Sequence, residues 1–387
     1  MDLKSRYNLS RISERNCKKT IRKKADLKEP EVIYQSLIKP ILFQLDPESA
    51  HHFAASLLNL SRKIPFFYQS LQTILEYRSP RLRQSIWGLE FGNPVGVAAG
   101  FDKTGELYPS LIHMGFGFVE IGTVTAKEQP GNEAPRLFRY PKELALINRM
   151  GFNNPGADKV ELTLQKQRKT GIRGINAGKS KVTPIEDATQ DYNYTLKKLS
   201  PYADYAVINI SSPNTPGLRN LQSKKALVGL IEGIQKEFGP KFPIPLFFKF
   251  APDLSLEELK ENLEVCLSYR IDGVILTNTT LNKESLGAGP HPEGGLSGNP
   301  LFEQALSFVH EAYKIVGGKI PIIGVGGIDS GEKALKMMLA GASLLQIYTS
   351  YIYQGPFLPA EICSYLDKYL RTNNFKHISE IVGLDHK

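Results

Sequence analysis

From Asn93 onward the chain alternates short apolar or β-branched runs with longer stretches of helical period. Eight such runs stand out: Pro94–Ala98, Phe116–Ile121, Gly174–Ala177, Tyr205–Ile210, Pro245–Phe250, Asp272–Thr277, Pro321–Val325 and Ser343–Tyr348. Strands that alternate with helices imply parallel βαβ units, and eight of them in under 280 residues predict an α/β protein built as a closed (β/α)8 barrel, the TIM-barrel architecture. Just before the first run, alternating apolar residues around Trp87-Gly88 in Arg81–Phe91 predict a hairpin that plugs the barrel floor. Upstream the period is helical throughout. Ile33, Tyr34, Leu37, Ile38, Ile41, Leu42 and Leu45 share one face, with Pro40 expected to kink or shorten the helix. Asp46-Pro47-Glu48 then supplies an N-cap acid, a proline at the first helical position and a carboxylate in the first turn. The helix it opens carries Ala50, Phe53, Ala54, Leu57 and Leu58, and a third amphipathic stretch follows at Phe66–Leu75. The pattern divides the chain into an arm (1–30), a small helical segment (31–76) and the barrel (77–387).

Composition changes this picture little, but charge does. The net charge of +9 is mostly local: residues 1–28 hold ten Lys/Arg against Asp2, Glu14 and Asp26. The basicity therefore belongs to the arm, which has two readings: a solvated, disordered tail, or a tether to anionic lipid headgroups at about 1 kcal/mol per basic residue near the surface. Beside it, the helical segment is either a cap on the barrel or a membrane-interface element that shapes an opening for an apolar ligand. No apolar run is long enough to span a bilayer as a helix. Cys17, Cys266 and Cys363 lie far apart without ligand spacing, so neither a disulfide framework nor a metal site is expected.

In a barrel of this kind the C-terminal strand ends form the active face. Those ends are polar nearly throughout: Ala99-Gly100-Phe101-Asp102-Lys103, Gly122-Thr123, Asn176 with Lys179, Asn209 with Ser212, Lys249, Thr277-Asn278-Thr279-Thr280, Gly326-Gly327 and Tyr348-Thr349. The segment Asn209–Arg219 (NISSPNTPGLR) packs two asparagines and two serines into a Pro/Gly-bounded turn, where planar amides can read the edge of a small imide or pyrimidine ring and Ser212 is the candidate proton acceptor. Gly324–Gly327 followed by a helix from Ser330, together with Gly341–Thr349, has the form of a barrel phosphate cradle. A phosphate-bearing cofactor and a phosphate-bearing substrate both satisfy it. Lys103 and Lys249 favour a bound group that gains negative charge.

The blocks AAGFDK (98–103), EIGTVT (120–125), NRMGFNN (148–154), NISSPNTPGLR (209–219), NTT (278–280), GGLSG (294–298), PIIGVGGI (321–328) and QIYT (346–349) resemble the dihydroorotate dehydrogenases, in order, over roughly residues 31–370. Serine rather than cysteine at 212, with the helical N-terminal segment, resembles the second, quinone-dependent, membrane-associated class. The resemblance implies oxidation of dihydroorotate to orotate in pyrimidine biosynthesis, with FMN accepting the hydride, Ser212 the proton, and a membrane quinone the electrons. It implies that Lys103, Asn148, Arg149, Met150, Gly151, Phe152, Asn209, Asn214, Asn278 and Thr279 bind substrate, with Phe152 and Thr215 assisting proton transfer. FMN would be held by Ala98, Ala99, Gly100, Phe101, Asp102, Thr123, Asn176, Asn209, Lys249 and Thr277, and its phosphate by Gly298, Gly327, Tyr348 and Thr349. His51, Arg139 and Tyr348 match positions lining the quinone tunnel. A peripheral monomer on an anionic membrane surface is expected, at the cytoplasmic face of a bacterial cell membrane, because the arm is not followed by a spanning helix; the mitochondrial inner membrane is the alternative. The competing enzyme is a flavin-dependent tRNA-dihydrouridine synthase-like reductase, which uses cysteine as acid and carries an RNA-binding helical domain after the barrel. With the positive charge on the N-terminal arm, no nucleic-acid partner is expected.

Overall fold

The computed structural model describes residues 33–61, 64 and 66–387; the basic arm (1–30) and Cys17 lie outside the described residues. The chain divides into two compact units between Gln44 and Leu45. In the first, a π-helical turn at Tyr34–Ile38 runs into α1 (Lys39–Gln44). The helix is continuous from Ile33 to Gln44, and its π-helical turn ends just ahead of Pro40, the residue that lacks an N–H to donate back along the helix. Lys39 Nζ donates to Gln35 Oε1 at 3.0 Å.

The second unit opens with α2 (Pro47–Ser61), capped as its sequence predicts: Asp46 Oδ1 accepts the N–H groups of Glu48 (3.1 Å) and Ser49 (3.0 Å). Helix α3 (Phe67–Leu75) follows, and Tyr68 Oη ties it back to Leu58 O and across to Ser110, both at 2.8 Å. Next, β1 (Gln84–Ile86) and β2 (Leu89–Phe91) pair as an antiparallel hairpin. Its turn is Trp87-Gly88, both with positive φ, which gives the turn the twist a tight hairpin needs.

Eight parallel strands then close into a barrel: β3 (Val95–Asp102), β4 (Phe118–Thr125), β7 (Ile172–Gly178), β8 (Tyr205–Asn209), β9 (Leu246–Phe250), β10 (Gly273–Leu276), β12 (Ile322–Val325) and β13 (Ala342–Ile347), which pairs with β3. Each coincides with a predicted run to within a few residues. Helices α4 (Tyr108–His113), α5 (Ala157–Gln165), α6 (Ala188–Leu199), α7 (Lys224–Phe238), α8 (Leu256–Ser268), α9 (Phe302–Val316), α10 (Gly331–Leu339), α11 (Thr349–Gln354) and α12 (Leu358–Thr372) complete the βα units. A feature the apolar pattern did not predict is a second sheet, β11–β6–β5, in which β5 (Leu137–Tyr140), β6 (Ala145–Asn148) and β11 (Gly295–Gly298) pair antiparallel. Its strands are only four residues long and sit inside loops, too short to display a period.

The period of two along each barrel strand separates two cores. Val119, Ile208, Phe248 and Leu345 face outward against helices, in one cluster with Leu196, Leu227, Leu263 and Met338. Phe118, Tyr205, Phe247 and Leu344 face inward and meet the hairpin, with Trp87 and Phe91 among them. Trp87 packs 4.5 Å from Phe247 between ring centroids and donates Nε1–H to Asp272 O at 2.7 Å, so the hairpin is the barrel floor.

Candidate active site at the C-terminal rim

One inward step above this aromatic floor the barrel turns polar. Glu120 on β4, fully buried, accepts from Asn176 Nδ2 (2.7 Å), Gln346 Nε2 (2.6 Å) and Tyr205 Oη (3.5 Å). Lys249 Nζ on β9 stands 3.9 Å from the same carboxylate. Three side-chain hydrogen bonds and one ammonium group thus converge on a single buried carboxyl group. Burial pulls Lys249 below the usual lysine range, while Glu120 pulls it back up. Glu120 and Gln346 were not among the sequence-derived candidates. The available signal was a charged residue at an inward position of an otherwise apolar run.

The next layer is made of interlocked amides and hydroxyls. Thr123 Oγ1 donates to Asn176 Oδ1 at 2.6 Å, and Asn209 Nδ2 reaches both Thr123 Oγ1 (3.1 Å) and Asn176 Oδ1 (3.2 Å). Asn209 Oδ1 accepts from the Ser211 hydroxyl (2.8 Å), which in turn accepts from Asn278 Nδ2 at 2.8 Å. Asn209 and Lys249 stand opposite each other in the β8–β9 register. Ser212 is 5% exposed, and its Oγ accepts the Asn214 N–H at 3.2 Å. Asn214 Nδ2 donates to Asn148 Oδ1 (3.2 Å) and Asn148 O (3.1 Å), which joins the serine loop to the end of β6. Arg219 secures the loop from outside, donating to Ser211 O (3.0 Å), Thr279 O (3.0 Å) and Asp253 (2.8 Å).

The remaining sequence-predicted residues distribute around this centre. Ala98–Asp102 end β3, but the Asp102 carboxylate turns into the following loop, accepts the Gly105 N–H at 2.8 Å, and is pushed up to about 6 by burial. Lys103 is half-buried, and burial pulls its ammonium down to about 8. The Arg149 guanidinium bonds Pro135 O (2.8 Å), and the main chain of this segment is held by the preceding loop: the Arg149 N–H donates to Arg136 O (2.9 Å), and the Met150 and Gly151 carbonyls accept from Asn132 N–H (3.1 Å) and Gln129 Nε2 (2.8 Å). Phe152 holds φ at 53°, a turn that lays its ring near Gly178 and Thr123. Thr277 Oγ1 donates to Asn278 O at 3.0 Å, and the Thr279 N–H is taken by Asn278 Oδ1 at 2.7 Å.

At the cradle, Thr349 bonds Ser297 beside Gly298 at 2.8 Å, and Lys333 Nζ ties Asn299 to Asp329 (2.8 Å) and Gly327 O (3.4 Å). The loops carrying Gly298, Gly327 and Thr349 are thereby drawn together at the starts of α10 and α11. This set fits a flavin phosphate, and the buried ammonium of Lys249, with its nearest carboxylate at 3.9 Å, fits a ring that takes up negative charge.

The face toward α2 is aromatic. His51 meets Phe101 edge-on at 5.3 Å, and Phe101 meets Tyr348 edge-on at 5.6 Å; the Tyr348 hydroxyl donates to Gly100 O at 3.3 Å. Burial, with the Lys103 charge second, pulls His51 down to about 4 and keeps it neutral near pH 7, while burial pushes Tyr348 up to about 12. Arg139 Nη1 donates to Leu45 O, at the entry to α2, at 2.8 Å.

Known proteins resemble this chain in sequence and fold. The family model described as dihydroorotate dehydrogenase matches residues 81–370. A Gloeobacter violaceus protein named dihydroorotate dehydrogenase (quinone) is 44% identical over 90% of this chain and 98% of its own length. A protein of the same name from Christiangramia forsetii is 46% identical over 85% of this chain and 97% of its own. Among solved structures, a dihydroorotate dehydrogenase from Eimeria tenella, crystallised with ferulenol, superposes with a TM-score of 0.81 at 38% identity, covering 88% of this chain and 96% of that one. With a family match across the whole barrel and relatives this similar over nearly their full length, the chain belongs to the dihydroorotate dehydrogenase family.

Proposed function

We propose that this chain oxidises dihydroorotate to orotate and passes the electrons to a quinone, a step of de novo pyrimidine (UMP) biosynthesis. The observation that carries the reading is the pairing of a buried hydroxyl, Ser212, with a buried ammonium, Lys249, beyond and on neighbouring strands of one rim. The family is flavin-dependent, and we assign the flavin as FMN. When bound, it supplies the acceptor for the hydride leaving C6. Ala98–Asp102, Thr123, Asn176, Asn209, Lys249 and Thr277 would surround its ring and ribityl chain, with Gly298, Gly327, Tyr348 and Thr349 at the phosphate. Lys249 would stabilise negative charge arriving on the ring.

Ser212 takes the proton from C5. As it does so, its own hydroxyl proton would pass to solvent water along a path that Thr215 and Phe152 assist, and the Asn214 N–H on Oγ would stabilise charge developing there during the transfer. Asn148, Asn209, Asn214, Asn278 and Thr279, with the main chain of Arg149–Phe152, orient the pyrimidine, and Lys103 meets its carboxylate with a charge-assisted bond.

Quinone would approach along the aromatic face of His51, Phe101 and Tyr348, flanked by Arg139. Residues 31–76 would then serve as the docking segment, which is supported by the exposed Phe53, Leu57, Leu60, Phe66 and Ile74 on and around α2 and α3. Among the described residues no helix is long and apolar enough to cross a membrane. We assign the chain to the periphery of a membrane, on the cytoplasmic face of a bacterial cell, as a monomer. The test is anaerobic bleaching of the bound flavin by dihydroorotate, followed by reoxidation with soluble quinone, fumarate or NAD in parallel. Bleaching with recovery by quinone alone is expected; a flavin that dihydroorotate leaves oxidised would favour the RNA-reductase reading.

A further inference from the structure

One side chain outside the assigned pocket connects helix α2 to both loops of that pocket. Arg136, just ahead of β5, grips the Glu48 carboxylate in the first turn of α2: Nε donates to Oε2 at 2.9 Å and Nη2 to Oε1 at 2.6 Å. Its Nη1 turns the other way and donates to Pro130 O (2.7 Å) and Asn132 O (2.8 Å), while its carbonyl accepts the Arg149 N–H at 2.9 Å. Asn132 in turn donates its N–H to Met150 O (3.1 Å) and its amide Nδ2 to Arg149 O (2.9 Å) and Asn214 O (3.4 Å). The contact with the substrate loop has no slack, since a Cβ on Gly151 would lie 2.8 Å from the Asn132 side chain. Only 15% of the Arg136 side chain and 20% of the Glu48 side chain are exposed, so this two-pronged ion pair is largely shielded from water and is held in one geometry.

We infer that Glu48, Arg136 and Asn132 are positioning residues, a strut through which α2 holds the 149–151 loop and the Ser212–Asn214 loop in their dihydroorotate-binding arrangement. The inference rests on the dihydroorotate reading above and deepens it, because the helix that borders the quinone face also sets the shape of the substrate pocket. Whatever shifts the seat of α2 then changes affinity for the pyrimidine, and by linkage the pyrimidine changes the seat of α2.

A field effect of Glu48 would act with the opposite sign. Its carboxylate and Lys103 feel each other's charge, so if Glu48 acted only through the electrostatic potential, neutralising it would strengthen the pull on an anionic ligand. The strut requires that neutralising it weaken that ligand.

The experiment is calorimetric titration of orotate into oxidised holoenzyme of the wild type, Glu48→Gln, Asn132→Ala and the double variant, with flavin content and thermal midpoint measured on each. Glu48→Gln is expected to raise the orotate Kd by roughly fivefold or more at undiminished flavin content, the scale of a modest coupling between sites. It should add little in the Asn132→Ala background, because its effect passes through Asn132. In turnover, KM for dihydroorotate should rise while kcat at saturation is retained, whereas general loosening of the fold would lower flavin content and kcat together. Should Asn132→Ala fail to fold, Arg136→Lys takes its place, keeping the charge without the reach to span the carboxylate and both carbonyls. An unchanged or tighter Kd in Glu48→Gln, or full additivity in the double variant, overturns the strut. A wild-type holoenzyme that binds no orotate would refute the dihydroorotate reading itself, which separates the two failures.

Discussion

The polar rim of the barrel and the helical pair α2–α3 solve opposite problems. At the rim, Thr123, Asn176, Asn209 and Ser211 are buried and each has a partner, because a polar group removed from water without one costs on the order of 1–3 kcal/mol. On α2, Phe53 is 56% exposed and Leu57 59%, and at the head of α3 Phe66 is 76% exposed. Neighbouring apolar side chains left outward in this way mark an interaction surface. The rim is therefore determined by the chain's own contacts, whereas the outer face of α2–α3 leaves its apolar side chains exposed, the surface that the proposed membrane docking would cover. The difference teaches where substitutions will act: at the rim on chemistry, on the outer face on association.

Three changes probe that division. Ser212→Ala removes the proposed proton acceptor while leaving the amide network around Asn209 in place; it should retain flavin and orotate binding but slow flavin reduction by dihydroorotate by about 100-fold or more, read by anaerobic stopped flow. Unimpaired reduction would remove Ser212 from the role of base. Changing pH acts next most strongly. Lys103, pulled down to about 8 by burial, carries its charge below that pH and loses it above. The orotate Kd should therefore rise by about tenfold between roughly pH 7 and pH 9, and Lys103→Met should flatten the profile. A Kd that tightens with rising pH would exclude Lys103 as the carboxylate partner. The smallest effect on the fold is expected on the outer face. Phe53→Ser combined with Leu57→Ser should shift stability by only about 0.5 kcal/mol per site, as surface changes do, while weakening association with anionic vesicles measured by co-sedimentation. A large loss of stability would mean that these side chains are covered by the protein itself.

Much of this was legible in the chain. The eight runs located the barrel strands because each run carries its own apolar alternation, and the Asp46-Pro47-Glu48 signal located the start of α2 because capping is satisfied within one turn. The glycine at 88 marked the floor hairpin for the same local reason. Lys249, Asn209 and Ser212 could be named from their places at strand ends. Glu120 could not be given a role, although it stands in the quoted EIGTVT block, because its meaning depends on Asn176, Gln346, Tyr205 and Lys249 arriving from four other strands. Asn132 and Arg136 lay in a loop without any period, and Asp102 gave no sign that its carboxylate would turn toward Gly105 rather than into the pocket.

The sequence by itself determined the eight barrel strands, the N-terminal helix start, the order of the βα units and the residue types offered at each barrel strand end, since those follow from periodicity and capping within a few neighbouring residues. Only the tertiary structure decided which of those groups meet: the closure of β13 on β3 that encircles Glu120, and the seat of α2 that brings Glu48 to Arg136 across 88 positions of chain. The physical reason is that a hydrogen bond or ion pair between distant residues is worth little until burial removes the competing water, and burial at the barrel mouth exists only once the barrel has closed.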